Sequence, residues 1–398
     1  MKTLFKIGNL IDGTGNSVKN ISLLVENGKI IEIGAIPQAE NAVIVDYSDK
    51  TVIPGLINAH VHLDMMAVAD SFTTMRDMND VDRTMVCLEH MEQYLSTGVT
   101  YVRSLGVNND VDIKLRNFGR KNNKLWPGIV AAGTSICITG GHGWRSGGEC
   151  DGEDECRKMA REIVKRGADC VKFMATGGVM TPNVEPGSQQ LTYEEMLVIC
   201  KEAAKAGKTT ATHAQGTGGI YDAVRAGVTS VEHGIYLTDE IIDMMLERGT
   251  ALVATLSAPY NIAKYGLESG IPAYAVEKTK RVIDAHNESF RKAYKAGVFM
   301  AVGTDAGTPM NAHDKTWVEL KLMCDNGVKP MEAITFATQN CAKLLRIDNL
   351  YGTLEAGKMA DLVVLDACPL DNIENLSKIN AVYKHGQLAF GGKALNLI

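Results

Sequence analysis

The sequence lacks the patterns that mark a protein bound to nucleic acid, inserted in a membrane or exported. Its 398 residues carry a net charge of −6, and no run among them is rich in lysine and arginine. Nucleic acid and acidic membrane surfaces are therefore not expected as partners. No apolar run is long enough to cross a bilayer, and Lys6 interrupts the apolar stretch near the first residue. We expect a soluble, cytoplasmic protein.

Regularly spaced cysteines are also missing. The nine cysteines are odd in number and scattered, and no two of them have the CxxC spacing. This distribution argues against a disulfide framework and fits a reducing compartment. Cys150 and Cys156 flank an acidic loop at residues 147–156, and we expect this pair to be incidental rather than metal-binding or redox-active.

The sequence does contain a regular alternation of short β-like runs and amphipathic helical stretches. Glycine follows most of the helical stretches, where it accepts the left-handed conformation that ends a helix. The eight predicted strands are residues 55–62, 100–106, 128–136, 169–177, 209–216, 230–234, 251–257 and 298–307.

Eight such alternations predict an α/β fold in which a parallel sheet closes into a (β/α)8 TIM barrel over residues 56–352. An open doubly wound sheet is the structural alternative, but no GxGxxG follows the first predicted strand.

The two ends of the chain have a different pattern. Residues 1–55 and residues 353–398 show alternating apolar positions and turn signals such as Asn27-Gly28, which are typical of hairpins. Because an isolated hairpin is only marginally stable, we expect the two ends to pair as one small β-sandwich domain.

Side chains with metal-binding chemistry stand at or near the ends of the predicted barrel strands, where this fold places its active site. His60 and His62 are two positions apart, so both imidazoles face one side of a strand. Each side chain alone has an ordinary explanation, such as a hydrogen-bonded core histidine, a turn aspartate or a lysine in an ion pair. Their shared placement predicts a metal site. The six residues are His60, His62, Lys172, His213, His233 and Asp305.

A set of motifs gives the sequence a family resemblance over nearly its whole length. The motifs resemble those of the amidohydrolase superfamily, and the last of them resembles that superfamily's return into a small β-domain. They are "PGLINAHVHLD", "VKFMATGG", "ATHAQG", "VEHG", "GTDAG" and the closing "GTLEAGKMADLVVLD".

The resemblance implies a binuclear centre of divalent metal ions. His60, His62 and Asp305 would hold the more buried ion, and His213 and His233 the more exposed one. Lys172, carboxylated by CO2, would bridge the two ions as a carbamate. Zinc is the expected metal, although imidazole and oxygen ligands also suit Mn, Co and Fe.

The resemblance also implies a hydrolytic mechanism. Two metal ions roughly 3.5–4 Å apart share a hydroxide, and the exposed ion polarises the substrate carbonyl. The hydroxide attacks, and Asp305 acts as general acid/base by taking its proton and passing it to the leaving amine. Asp64, beside the histidine pair, is expected to orient a ligand or to cap the following segment.

Within the superfamily, "VKFMATGGV", "GGHGW" and "VEHGIYL" resemble the prolidase-like and Xaa-Arg/Lys dipeptidase group. This implies a small-molecule substrate, either a dipeptide or an N-acyl amino acid with a free carboxylate. His142 and Tyr236 are implied as substrate-binding residues for that carboxylate, and Arg145 lies nearby. An acidic pocket, to which residues 147–156 could contribute, would favour Arg or Lys, whereas an apolar pocket would favour Pro or a bulky residue.

Other functions remain open at this point. One is an imidazolonepropionase-like or other cyclic amidase, whose sites generally use one metal and need no bridging lysine, so Lys172 argues against it. Another is hydrolysis of a lactone, carbamate or phosphotriester by the same metal pair. A third, of a different class, is a non-catalytic scaffold on the same fold. We also expect a homo-oligomer.

Overall fold

The computed structural model describes residues 2–392, and residues 393–398 of the predicted sandwich domain lie outside the described part. Most predicted strands and helices are present, with shifts of a few residues at their ends. The strands are β1 (Lys2–Ile11), β2 (Ser17–Glu26), β3 (Lys29–Gly34), β4 (Ala42–Pro54), β5 (Leu56–Val61), β6 (Val99–Ser104), β7 (Gly128–Ala131), β8 (Cys170–Met174), β9 (Thr209–Ala214), β10 (Ser230–His233), β11 (Ala251–Val253), β12 (Leu362–Leu365), β13 (Ile379–Lys384) and β14 (Gln387–Gly391).

The helices alternate with the central strands. A π-helical turn at Phe336–Asn340 joins the short helices Pro330–Thr335 and Cys341–Leu344. None of the helices described in residues 2–392 has both the length and the apolar character that a membrane crossing needs. The α-helices are α1 (Ser71–Arg76), α2 (Asp80–Ser96), α3 (Val111–Lys121), α4 (Glu153–Lys165), α5 (Tyr193–Lys205), α6 (Thr217–Arg225), α7 (Asp239–Arg248), α8 (Ser257–Tyr265), α9 (Ala273–Ala296), α10 (Thr316–Asp325), α11 (Pro330–Thr335) and α12 (Cys341–Leu344).

Both ends of the described chain contribute to one seven-stranded sheet with the order β14-β13-β12-β4-β1-β2-β3. Phe5 in β1 packs edge-on against Tyr383 in β13, with ring centroids 4.9 Å apart. In a flat sheet, β1 and β13 would be three inter-strand spacings of about 4.8 Å apart, which is too far for this ring contact. The sheet must therefore curve over its own apolar core. The predicted pairing of the two chain ends is confirmed.

The central strands form two parallel sheets, with the orders β5-β6-β7 and β11-β10-β9-β8. Backbone hydrogen bonds join them at one side, where Ile136 N donates to Lys172 O and Met174 N donates to Ile136 O, each at 2.9 Å. Seven of the eight predicted parallel strands are therefore present, and the buried runs of β5, β6, β8 and β9 are typical of strands covered on both faces.

The eighth predicted strand, residues 298–307, forms isolated bridges instead of a regular strand. Its backbone still reaches both neighbours, because Leu252 N donates to Phe299 O at 2.9 Å and Ala59 N donates to Val302 O at 2.8 Å. The ladder is irregular because the carbonyl of His60 accepts from both Thr304 N and Asp305 N, which is the pattern of a bulge.

A close backbone approach explains the glycine in this segment. A Cβ on Gly303 would lie 2.6 Å from His60 Cβ and 2.4 Å from Val253 Cγ1. Gly303 therefore lets the segment lie directly against β5, and the approach places Asp305 beside the histidines of that strand.

A buried lysine connects the seven-stranded sheet to the parallel strands. Lys384 in β13 is 2% exposed, and its Nζ donates to the backbone carbonyl of Thr100 in β6 at 3.1 Å. The same Nζ forms an ion pair with Asp361. It also lies over the rings of Tyr101 and Tyr351, 5.0 and 4.9 Å from their centroids. A buried charge is tolerated here because every side of it has an electrostatic partner.

We predict that Lys384→Met lowers the free energy of unfolding by about 3–5 kcal/mol, because it leaves the Asp361 carboxylate buried and uncompensated. Chemical denaturation measures the loss. Lys378→Met is the matched control, since Lys378 is exposed beside the same strand, and it should change stability by less than about 0.5 kcal/mol. Equal effects of the two substitutions would contradict the proposed connection.

Candidate metal-binding and active site

One cavity, with a volume of about 890 Å³ including its open mouth, brings together all the predicted site residues except Tyr236. It opens at the carboxyl ends of β5, β8, β9 and β10. All six predicted metal ligands line it, namely His60, His62, Lys172, His213, His233 and Asp305. Residues up to 245 positions apart in the sequence thus share one site.

The tightest cluster consists of His60, His62 and Asp305. Asp305 Oδ1 lies 3.2 Å from His60 Nε2 and 3.1 Å from His62 Nε2, and one ligand atom from each residue fits within 4.8 Å of the others. Burial raises the pKa of the Asp305 carboxyl, but the two imidazoles outweigh burial and hold that pKa well below its ordinary value. The cluster offers an ionised carboxylate and two imidazoles to one cation.

His213 and His233 continue the cluster. The ring centroid of His233 lies 5.3 Å from that of His60 and 4.4 Å from that of His213. Burial lowers the pKa of both imidazoles well below its ordinary value, so both rings are neutral near pH 7. Neutral imidazole is the form that binds metal ions.

The hydrogen bonds of the four imidazoles fit metal binding. His62 Nδ1 faces Gly106 O at 3.3 Å, and His213 Nε2 faces Gly177 O at 3.4 Å. A carbonyl only accepts, so each of these nitrogens carries the hydrogen and leaves the other nitrogen with a free lone pair.

His233 is fixed in the same manner. The Thr255 hydroxyl donates to Ala254 O and therefore accepts from His233 Nδ1 at 2.7 Å. The lone pair of His233 is thus on Nε2. A metal ion bound to His62, His213 and His233 would leave their hydrogen bonds to Gly106 O, Gly177 O and Thr255 Oγ1 in place, and it would replace the contact of His62 Nε2 with Asp305.

Glu232 contacts a candidate metal ligand and was not predicted from the sequence. Its buried carboxylate accepts from His60 Nδ1 and from Arg103 Nη2, each at 2.8 Å. Burial raises the pKa of Glu232, but the Arg103 charge and the His60 hydrogen bond outweigh burial and set that pKa at about 2. The ionised carboxylate therefore holds His60 with Nε2 facing Asp305. A charged residue inside the short strand before His233 was the available sequence signal.

Lys172 is buried in β8 and lines the cavity. Among the hydrogen bonds and ion pairs of residues 2–392, none is formed by its Nζ atom. Burial lowers the pKa of this amine to about 8, against the opposing charges of Glu232 and Asp305. An amine in this state is more readily deprotonated than a surface lysine, and it lacks the ion-pair partner of a purely structural lysine.

The two predicted carboxylate-binding residues have different positions. His142 lines the cavity, with its ring centroid 4.1 Å from that of His213 and its Nδ1 2.8 Å from Thr181 Oγ1. Tyr236 does not line the cavity, and the residue is 36% exposed. Its backbone N donates to Gln215 O at 3.0 Å, so only its main chain is tied to the site.

One wall of the cavity is apolar. It combines α1, the loop after β8, the segment after β10, α8 and α9, and it includes no carboxylate among the lining residues. The carboxylates of the acidic loop are used locally instead, since Asp151 binds Thr139 and Glu149 binds Gly140 N. The apolar lining residues of this wall are Phe72, Val179, Met180, Ile235, Ile262 and Val282.

Polar atoms without a protein partner in the described residues also line the cavity. They are Ser135 Oγ, Gln215 Oε1, Thr279 Oγ1 and His286 Nδ1. An unpaired buried polar atom costs roughly 1–3 kcal/mol, so a substrate group that pairs with one of them gains binding energy. The sequence pattern did not indicate any of these four residues.

Asp64 and Arg145, two further residues considered from the sequence, contact neighbouring side chains. Asp64 forms a buried ion pair with Arg83 in α2 at 2.7 Å instead of orienting a histidine or capping a helix. Arg145 stacks near Phe72 and Trp144, 5.5 and 5.3 Å from their ring centroids, at the edge of the cavity.

Known proteins match the chain over nearly its full length. A sequence profile described as the amidohydrolase family matches residues 51–389. A Xaa-Pro dipeptidase with methionine bound in its active site is 33% identical, and the superposition covers 98% of this chain and 100% of that chain with a TM-score of 0.93.

Two further relatives differ in activity. The ochratoxinase of Aspergillus niger is 29% identical over 98% of this chain and 87% of its own length. The imidazolonepropionase of Geobacillus kaustophilus is 24% identical over 95% of this chain and 90% of its own length. Since the family profile spans most of the sequence, the chain belongs to the amidohydrolase family, and with these relatives it is a hydrolase that acts on C–N bonds.

Proposed function

We propose that the chain is a metal-dependent dipeptidase that cleaves the amide bond of dipeptides or N-acyl amino acids with a free C-terminal carboxylate. The position of His142 carries the proposal. Its ring lies against His213, so a group able to bind a carboxylate stands beside the candidate metal ligands. The similarity to a Xaa-Pro dipeptidase that holds methionine supports the same substrate class.

The proposed architecture is a closed (β/α)8 barrel over residues 56–352. The hydrogen bonds of residues 298–307 to β11 on one side and to β5 on the other support closure. We assign residues 1–55 and 353–398 to the β-sandwich domain, which the curvature of the seven-stranded sheet supports. A homo-oligomer stays a prediction.

The residues of the cavity fit two divalent metal ions, and zinc is the metal that we propose. His60, His62 and Asp305 would hold one ion, and His213 and His233 the other. When bound, such ions lower the pKa of a water molecule and polarise a carbonyl group. The four free imidazole lone pairs described above support this assignment.

Lys172 is proposed to bridge the ions after carboxylation by CO2. The ammonium form offers a metal no lone pair, whereas a carbamate offers two anionic oxygen atoms. The reaction consumes the neutral amine and releases one proton. A buried amine with its pKa lowered to about 8 supplies that neutral form more readily than an exposed lysine.

Asp305 is proposed as the general acid/base. Its carboxylate is ionised and lies at the centre of the histidine cluster. From there it can take a proton from the attacking water and deliver that proton to the leaving nitrogen. Water is consumed, the amide C–N bond breaks, and a carboxylic acid and an amine are released.

His142 is proposed to bind the substrate carboxylate, with Tyr236 as a second contact. The support for Tyr236 is its place directly after Ile235, which lines the cavity. The apolar wall favours Pro or a bulky apolar side chain over Arg or Lys, since that wall contains no carboxylate to pair with a cation.

We predict at least 10-fold higher kcat/KM for dipeptides ending in Pro, Leu or Met than for those ending in Arg or Lys. The measurement is a panel that also includes N-acyl amino acids and imidazolonepropionate. A preference for the basic residues would overturn the selectivity. Turnover of imidazolonepropionate alone would favour the cyclic amidase, and no turnover of any compound would overturn the substrate class.

We predict that Lys172→Ala binds one equivalent of metal instead of two and loses at least 1000-fold in kcat, because the bridging oxygen atoms are missing. Elemental analysis gives the metal count. Acetate supplies a small carboxylate to the vacated space and should restore part of the activity. Two bound metal ions and full activity in this variant would disprove the bridging role. Lys201→Ala, on α5, is the control for charge removal.

We predict that Glu232→Gln weakens metal affinity about 10- to 100-fold, because the amide no longer fixes His60 as the carboxylate does. Competition with a chromophoric chelator measures the affinity. Glu247→Gln, at an exposed position of α7, should leave it unchanged. Unaltered affinity in Glu232→Gln would show that His60 is oriented by other contacts.

A further inference from the structure

A loop between β8 and α5 lines the cavity and contacts helix α9. Residues 177–188 form this loop. Two backbone hydrogen bonds join the two ends of the loop, which form its neck: Gly177 N donates to Ser188 O at 2.8 Å, and Gly187 N donates to Gly177 O at 3.0 Å. The neck fixes where the loop leaves the sheet. The position of its tip depends on contacts made farther out.

Helix α9 holds the outer side of the loop through a buried lysine. Lys278 is 7% exposed, and its Nζ donates to Thr181 O at 2.8 Å and to Val184 O at 2.6 Å. Tyr274 OH donates to Met180 O at 3.2 Å, and the Tyr274 ring lies 5.4 Å from Lys278 Nζ. Lys278 forms no ion pair within residues 2–392, and its ammonium group instead donates hydrogen bonds to the backbone of the loop.

The inner side of the loop lies on His142. Thr181 Oγ1 is 2.8 Å from His142 Nδ1. A Cβ on Gly178 would come within 2.5 Å of the His142 ring, so the backbone at that glycine lies directly against the imidazole. Thr181 therefore contacts Lys278 through its carbonyl and His142 through its hydroxyl.

We propose that Lys278 and Thr181 are positioning residues for substrate binding, because together they orient the His142 imidazole toward the substrate carboxylate. With the Thr181 hydroxyl donating to Nδ1, the hydrogen of His142 is on Nε2, which then donates to the carboxylate. Lys278 fixes the backbone from which that hydroxyl projects. The inference rests on the proposed function of His142.

The test compares binding and turnover in metal-loaded protein. L-Methionine and L-methioninamide are titrated calorimetrically, since only the former has a carboxylate. KM and kcat are measured on the best dipeptide of the panel. The variants are Thr181→Val, Thr181→Ser, Lys278→Met and Lys278→Arg. Lys280→Met, an exposed position on the same helix, is the control.

We expect Thr181→Val and Lys278→Met to raise KM and the Kd of L-methionine about 10-fold, with kcat changed less than about 2-fold and methioninamide binding unchanged. Thr181→Ser should restore near-normal affinity because it keeps the hydroxyl. Equal weakening of both ligands, or a fall in kcat at constant KM, would overturn the positioning role. If Lys278→Met fails to fold, Thr181→Val still decides, because it keeps the lysine contacts.

His142→Ala separates the two proposals. If it weakens L-methionine binding while Thr181→Val and Lys278→Met do not, the positioning role is wrong and the carboxylate-binding role stands. If His142→Ala leaves L-methionine binding unchanged, both are wrong.

Discussion

The buried ion pair between Arg103 and Glu232 is the interaction on which the site depends. Arg103 belongs to the three-stranded parallel sheet and Glu232 to the four-stranded one, and the pair spans the interior between them. Removing two charges from water costs several kcal/mol per ion unless further hydrogen bonds compensate. Here the guanidinium also donates to Ala59 O and Ser230 Oγ, and the carboxylate accepts from His60. The charged pair is therefore retained at the position where it also fixes a candidate metal ligand.

Backbone strain is concentrated at the same place. His233, Thr255 and Asp305 have positive φ angles of 73°, 54° and 57°, a region that residues with a Cβ occupy at a cost of roughly 1–3 kcal/mol each. His233 ends β10, Thr255 follows β11, and Asp305 lies in the irregular segment 298–307. His233 and Asp305 line the cavity, and the Thr255 hydroxyl contacts His233 Nδ1, so all three strained residues belong to the site or support it directly.

The sequence predicted the strand-end residues because their chemistry contrasts with the apolar runs around them. His60 and His62 at a spacing of two, and Asp305 between glycines, needed only strand periodicity and a barrel topology to be grouped. Glu232 and Arg103 stand inside strands, where local pattern does not separate a functional charge from a structural one. The irregular backbone of residues 298–307 could not be predicted either, because the segment is apolar enough to resemble an ordinary strand.

The sequence by itself determined the alternation of strands and helices, the pairing of the two chain ends and the residue types that meet in the cavity. These follow from hydrophobic periodicity and from the few side chains that suit a cation. Only the tertiary structure decided which nitrogen each imidazole presents, that the wall beside them is apolar, and that Tyr236 stands outside the cavity while His142 stands within it. Those features depend on contacts between residues far apart in the chain, such as Thr181 with His142, which no local pattern encodes.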